Sequence, residues 1–320
     1  MDDPLRFVLA FDLGGTHLRA AIIDQDGTIH FSVKHQTPRT TVPDEIVSAL
    51  VIAARECECG VSPGQSISGI SIAVAASIDA RAGSVGKAPN LSSLNGFRLA
   101  AALTGELGLP AILENDANAA AVGEMWRGAA RGHRTIVCVT LGTGVGGGIV
   151  VDGKLWHGVN GSAAEIGHMS IDPFGGVACG CGSQGCLEVY ASATAIVRMA
   201  REAILRFPES VLQNVDGLTS EDVYRAGAQG DELARDVFRR MGVYLGIGLA
   251  NLINLLDPET IVIGGGVANG WNLFENEMRQ QVAERAFPLP AARAKIVRAE
   301  CGDDAGLLGA ARLGFESGST

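Results

Sequence analysis

The chain has 320 residues, 47% of them apolar and 19% charged, with a formal charge of −10. That composition buries a large core and excludes overall disorder, and the length favours two domains over one. The acidic balance, with 25 Lys and Arg dispersed along the chain, gives no basic field for nucleic acid or an anionic membrane surface.

The amino terminus, MDDPLRFVLAF, is acidic ahead of an apolar run too short for a secretory signal. Phe7 to Phe11 is a predicted strand ending at Asp12. The turn LGGT follows, then a strand from Leu18 to Ile23, the turn DQDG and a third strand from Thr28 to Val33. A helix is expected at about Pro43 to Cys59, a strand at Ile67 to Val74, a helix at about Phe97 to Leu107 and a short strand at Ala111 to Leu113. DANAAAVGEMWRGAA reads as an alanine-rich helix. TIVCVT is a strand, LGTGVGGG turns the chain and GIVVDG completes a second hairpin. The plan of strand, glycine turn and hairpin thus occurs twice, which suggests two related halves. From Asp231 to Leu256 apolar residues recur at helical spacing. The uncharged part, Met241 to Leu256, contains two asparagines and three glycines and falls short of a membrane span. Thr260 to Ile263 is a β-branched strand feeding GGG, a helix starts at about Trp271, and DDAGLLGAARLGF gives a final short helix. The alternation predicts an α/β protein with helices covering mixed sheets.

Two glycine turns invite a phosphate, and a third a nucleoside. Asp12 ends a strand just before Gly14, Gly15 and Thr16, where backbone N–H groups can face an anion and the carboxylate can hold Mg2+ or its water shell. Alone, that turn reads as a plain tight hairpin. The second, around Gly142, Thr143 and Gly144, is so rich in glycine that something is expected to approach its backbone. The third, Gly264, Gly265 and Gly266, follows a strand, where a nucleotide's base and sugar could lie; an ordinary β-to-α turn is the alternative. Neither of the first two has the form of a P-loop or dinucleotide fingerprint.

Asn115 and Asp116 stand between a short strand and a helix, where capping alone would explain them. His168, Cys179, Cys181 and Cys186 make a complete tetrahedral zinc set with no open position for water, so a zinc bound there would be structural. A redox pair has less support, since no CxxC is present at a helix start. The odd total of seven cysteines, four of them scattered, argues for reduced thiols and a cytoplasmic setting.

The segments FDLGGTHLRAAIID, ENDANAAAVGE, TLGTGVGGGIVVDGKL, GSAAEIGHM, CGCGSQGCLE and IVIGGGV resemble, in order and spacing, the ROK family (repressors, open reading frames and kinases), most closely its bacterial glucokinases. The resemblance covers nearly the entire chain. It implies an actin-like ATPase (ribonuclease H-like) α/β fold of two domains around a cleft: residues 1–118 completed by 304–320, and 119–303 carrying the zinc site. It also implies ATP-dependent phosphorylation of glucose at the 6-hydroxyl with Mg2+, by a homodimer or homotetramer. Alternatives are a kinase for another hexose or an N-acetylhexosamine such as N-acetylmannosamine, or a non-catalytic sugar sensor. Family repressors carry a DNA-binding module ahead of the first glycine turn; only eleven residues precede Asp12, so a kinase is expected.

By the same resemblance Asp116 is the catalytic base, and Asn115, Glu165, His168 and Glu188, with Asn90 in addition, are sugar ligands. His168 would touch sugar through its second ring nitrogen, so that zinc fixes the ring's aim. Asp116, at a helix start, is expected to be held in its charged form and to accept a proton weakly. One departure stands out: where the family commonly has a Pro-Gly-Pro turn, this chain reads VAASID, with Ala75, Ala76 and Ser77, a change that could reshape the sugar pocket. His17, His30, His35, His133 and His157 read as ordinary surface or loop residues. A metal site at Cys57 and Cys59 is improbable, and Cys138 and Cys301 read as small buried hydrophobes.

Overall fold

A computed structural model describes residues 6–61 and 65–317. The chain begins with β1 (Arg6–Leu13), β2 (His17–Asp24), β3 (Ile29–Gln36), α1 (Pro43–Glu58), β4 (Ser66–Val74), β5 (Ile78–Asp79) and β6 (Ser84–Val85). It continues through α2 (Leu99–Leu107), β7 (Ala111–Asn115), α3 (Asp116–Arg127), β8 (Ile136–Leu141), β9 (Val145–Val151) and β10 (Lys154–Leu155). Then follow α4 (Glu188–Ala191), α5 (Ala193–Ala203), α6 (Ser220–Ala228), α7 (Glu232–Leu256), β11 (Thr260–Gly264), α8 (Trp271–Arg285), α9 (Pro288–Arg293), β12 (Lys295–Arg298) and α10 (Ala305–Ser317). Two compact units result. The first comprises the described residues up to Arg134, Gly148–Ala163 and the described residues from Glu300 onward; the second comprises Thr135–Gly147 and Ala164–Ala299.

The first unit is built on a sheet of order β3-β2-β1-β4-β7. Its hairpins are antiparallel, while β1, β4 and β7 run parallel. Alternation along β1 sends Phe7, Leu9, Phe11 and Leu13 to one face, where they pack with Leu50 of α1 and Leu103 of α2. Val8 and Ala10 point to the other, against Leu307 and Ala311 of α10 and Ala119 of α3. Each fully buried Leu or Phe contributes roughly 1.5–3 kcal/mol. The backbones of α3 and α10 touch: a Cβ on Gly309 would lie 1.7 Å from the Ala119 carbonyl oxygen. Buried Glu124 ties the end of α3 to the chain entering α10, accepting N–H groups of Ala129 (2.9 Å), Glu300 (3.1 Å) and Cys301 (2.8 Å). The boundary expected at 118 therefore shifts, because this packing places α3 with the first unit. Cys301 is only partly buried, and its thiol donates to the Gly123 carbonyl.

The second sheet has the order β10-β9-β8-β11-β12, with β10 antiparallel to β9 and with β8, β11 and β12 parallel. A hairpin followed by parallel strands thus occurs in both sheets, as the repeated glycine turns suggest. In the second unit, Asp231 caps α7, its carboxylate accepting Ala234 N–H at 2.9 Å. Gly242 and Gly246 let α8 approach α7 closely; a Cβ on either would lie 2.5 or 2.4 Å from a carbonyl oxygen of Phe274 or Met278. Helices α5 and α6 and strand β12 are additions to the elements expected from sequence. Among the described residues, no helix is long and apolar enough to cross a membrane.

Candidate active site

In the first unit Leu13, Val74 and Asn115 are in register across β1, β4 and β7. The segments leaving those strands therefore gather at the carboxyl ends of the parallel strands, where open α/β sheets hold ligands. Asp12 sits opposite Arg19 on β2. Burial pushes its carboxyl above the ordinary range; the Arg19 charge opposes that and Asp303 reinforces it. Arg19 is itself held by the Asp303 carbonyl and the Asp304 carboxylate. The turn after Asp12 is closed by Gly14 N–H to the His17 carbonyl at 3.0 Å and by the Thr37 hydroxyl to the Gly14 carbonyl at 2.7 Å, with Thr16 exposed. Gly15 lies against Asn90; a Cβ at position 15 would be 2.6 Å from the Asn90 Cβ. A cavity of 640 Å3 opens beside this pair, bordered by Arg39, Thr40 and Ser92.

Asn115 is the N-cap of α3. Its Oδ1 accepts from Ala117 (3.0 Å) and Asn118 (3.1 Å), while its Nδ2 donates to the Asp116 carboxylate (3.0 Å) and the Ala76 carbonyl (3.1 Å). Asn115 alone caps Asn118 N–H, while Ala117 N–H is shared with Asp116 Oδ1 at 2.9 Å. The helix start is expected to favour the charged form of Asp116; its effect is outweighed, although the carboxyl stays ionised at neutral pH. Burial first, and the charge of Asp12 second, raise it to about 6, outweighing the hydrogen bonds from Ala117 and Asn115.

The Ala75–Ser77 departure is pinned into this arrangement. Ala75 N–H donates to the Leu13 carbonyl at 3.1 Å, Ala76 receives Asn115, and the Ser77 hydroxyl accepts Lys87 N–H at 2.7 Å. His157 also departs from its expected role as an ordinary loop residue. Its Nε2 meets the buried Glu114 carboxylate at 2.7 Å, and this partner raises its pKa. His30 and His35 likewise face carboxylates, Asp24 at 2.7 Å and Glu56 at 3.0 Å.

In the second unit Gly142, Thr143 and Gly144 leave the carboxyl end of β8, and Gly264 to Gly266 leave that of its neighbour β11. Gly265 has φ +83°, and a Cβ there would lie 2.4 Å from the Leu141 carbonyl oxygen, so the two turns meet backbone to backbone. A 3-10 turn, Gly266–Gly270, precedes α8. Glu188 heads α4 and accepts Val145 N–H at 3.0 Å. A cavity of 510 Å3 beside Thr143 is bordered by Thr194, Val197, Arg201 and Ser220.

One atom from each of His168, Cys179, Cys181 and Cys186 lies within 4.8 Å of all the others. Cys181 Sγ is 3.8 Å from Cys186 Sγ, and Cys179 Sγ is 3.7 Å from His168 Nδ1. A tetrahedral ion with Zn–S bonds of about 2.3 Å separates its sulfurs by about 3.8 Å, so the donor set fits that ion. The knuckle is closed by Cys179 N–H to the Ser183 carbonyl at 2.8 Å. Its flanks are held through Tyr190, which donates to Asp172 and accepts Val177 N–H, both at 2.9 Å. With Nδ1 turned to the thiols, His168 Nε2 faces exposed Glu165, 4.0 Å away. Ala164, just before Glu165, has φ +63°.

The fold corresponds to that of ROK-family sugar kinases. The chain matches the ROK family model over residues 8–316. It is 38% identical to the glucokinase of Halalkalibacterium halodurans over 309 residues, covering 95% of this chain and 93% of that one. A solved ROK family glucokinase from Streptomyces griseus, in complex with glucose and AMPPNP, aligns with TM-score 0.81 and 37% identity over 97% of this chain and 99% of that one. A ROK family transcriptional regulator, homologous to the E. coli MLC protein, aligns with TM-score 0.88 and 29% identity over 98% of this chain and 79% of that one. The two-lobed α/β sugar-kinase architecture is thereby the class of this fold. The chain belongs to the ROK family.

Proposed function

We propose that the protein transfers the γ-phosphoryl group of ATP to the 6-hydroxyl of glucose. The observation that carries this reading is the junction of β7 and α3. There Asp116 takes Ala117 N–H (2.9 Å) and the Asn115 amide (3.0 Å) on the one oxygen Oδ1, and burial with the charge of Asp12 raises its pKa to about 6. A carboxylate so poised orients an alcohol and collects its proton late in a loose phosphoryl transfer. A sugar sensor needs no such group. The glucose and AMPPNP in the Streptomyces griseus relative support the same choice of substrates.

In this reading Asn90, Asn115, Glu165, His168 and Glu188 bind the sugar, whose vicinal hydroxyls suit paired carboxylate and amide groups. Gly14, Gly15, Thr16, Gly142, Thr143 and Gly144 face the phosphates, and Gly264, Gly265 and Gly266 take the nucleoside. Asp12 is the residue to hold Mg2+ or its water shell; that ion neutralises charge on the phosphates. His168, Cys179, Cys181 and Cys186 would hold a structural zinc that sets the direction of the His168 ring. A cytoplasmic homodimer or homotetramer, with neither nucleic acid nor membrane as partner, completes the proposal.

The test is incubation with Mg-ATP and, separately, glucose, mannose, fructose, N-acetylglucosamine and N-acetylmannosamine, following ADP. Preference for glucose is the expected result. Preference for another sugar would move the substrate assignment, and ADP formation independent of every sugar would refute the reading.

A further inference from the structure

The second glycine turn does not stand alone. Its carbonyls and an adjacent amide are fixed by one short segment directly after the last thiol of the metal cluster. Ala193 N–H donates to the Gly142 carbonyl at 2.8 Å, and the Thr194 hydroxyl donates to the Thr143 carbonyl at 2.8 Å. The Glu188 carboxylate receives Val145 N–H at 3.0 Å. Gly144 leaves room for that carboxylate, since a Cβ there would stand 2.2 Å from Glu188 Oε2.

We propose that Glu188 is a positioning residue for the nucleotide turn as well as a sugar ligand, so that one carboxylate couples the two sites. The inference rests on the kinase reading above. One oxygen anchors the turn at Val145 while the rest of the carboxylate remains available to a sugar hydroxyl. Movement of the carboxylate toward either partner is felt by the other, and the coupling must be reciprocal. Thr194 holds the same turn through the Thr143 carbonyl and is not among the residues proposed to bind sugar. It therefore separates turn placement from sugar contact.

Calorimetric titration of the full chain tests this, with glucose alone, with the unreactive ATP analogue AMPPNP alone, and with AMPPNP at saturating glucose. Glu188→Ala should weaken AMPPNP about tenfold in the absence of any sugar, as expected for loss of a charge-assisted hydrogen bond. Gly144→Ala presses on the mobile end of a side chain and not on backbone. The chain should therefore still fold, with its carboxylate displaced, and bind glucose about tenfold more weakly without nucleotide. Thr194→Val should weaken AMPPNP and spare glucose, and Thr194→Ser should restore the affinity. Unchanged sugar-free AMPPNP affinity in Glu188→Ala, or unchanged glucose affinity in Gly144→Ala, would overturn the coupling. Should Glu188→Ala not fold, the Gly144 and Thr194 variants decide alone. A parent protein that binds AMPPNP but no glucose would refute the substrate reading instead, and the sugar-free titrations would still test the turn.

Discussion

His157 Nε2 lies 2.7 Å from Glu114 Oε2, and Glu114 is the residue immediately before Asn115. The other carboxylate oxygen of Glu114 accepts Asn115 N–H and the Asn118 side-chain amide, each at 2.9 Å. The start of α3, with the residues read as sugar ligand and base, is thus hung from a buried acid whose outer partner is a histidine.

Glu114→Ala would leave the Asn118 amide and His157 without that acceptor, at a cost of about 2–4 kcal/mol in unfolding by urea. The His157 pair carries its own pH signature. Because the Glu114 partner raises the His157 pKa, its contribution is fully present below the ordinary imidazole value and is lost as pH rises through the raised one. His157→Gln should therefore lower the melting temperature more at pH 6 than at pH 9. An equal loss at both would deny the charged pair.

Asp116 titrates in the opposite sense to a paired carboxylate. Its folded pKa of about 6 exceeds the ordinary 3.8, so this group favours the fold below 3.8 and opposes it progressively as pH rises through 6. At one pKa unit per 1.36 kcal/mol, the opposition reaches up to about 3 kcal/mol near neutrality. Asp116→Asn should unfold at higher urea than the parent at pH 7.5, with the gain fading toward pH 4. In the parent, kcat should fall as pH drops below about 6.

Much of this was readable in the sequence, and the parts that were not share a physical reason. The hairpins, the long α7 and the four-donor cluster declare themselves through local periodicity, glycine turns and close spacing. The partners His157 and Glu114, or Glu188 and Val145, are each 43 residues apart, and only the packed strands and turns bring them together. Capping was legible at the Asn115–Asp116 pair, yet the pKa of Asp116 was not, because burial first and the charge of distant Asp12 second raise it, and both arise only on packing. Helix α5 has a periodic apolar face at Ile196, Met199, Ala200 and Ala203, a signal that the sequence does carry.

The four-donor cluster makes a prediction of its own. His168 belongs to it through Nδ1 and stands beside Glu165 through Nε2, so metal removal should loosen the expected sugar contacts together. A chelated sample, verified as zinc-free by elemental analysis, should lose glucose affinity about tenfold or more and melt earlier. Retained affinity and melting temperature in such a sample would contradict the organising role.

Ala164 occupies the left-handed region, φ +63°, directly before Glu165. That conformation costs an alanine about 1–2 kcal/mol, while glycine adds about 0.5–1 kcal/mol of chain entropy to be lost on folding. Ala164→Gly should therefore raise stability by about 0.5–1 kcal/mol in thermal unfolding. A decrease would show that the loop is not strained.

The most direct measurement compares the parent and Asp116→Asn under Mg-ATP and glucose, identifying the product by phosphorus and proton NMR and measuring glucose affinity separately. The parent should yield glucose 6-phosphate. The variant should bind glucose within a few-fold of the parent while its kcat falls by about a hundredfold or more. Comparable turnover in the variant, or phosphate on another carbon in the parent's product, would contradict the assignment of Asp116 as the base that directs transfer to the 6-hydroxyl.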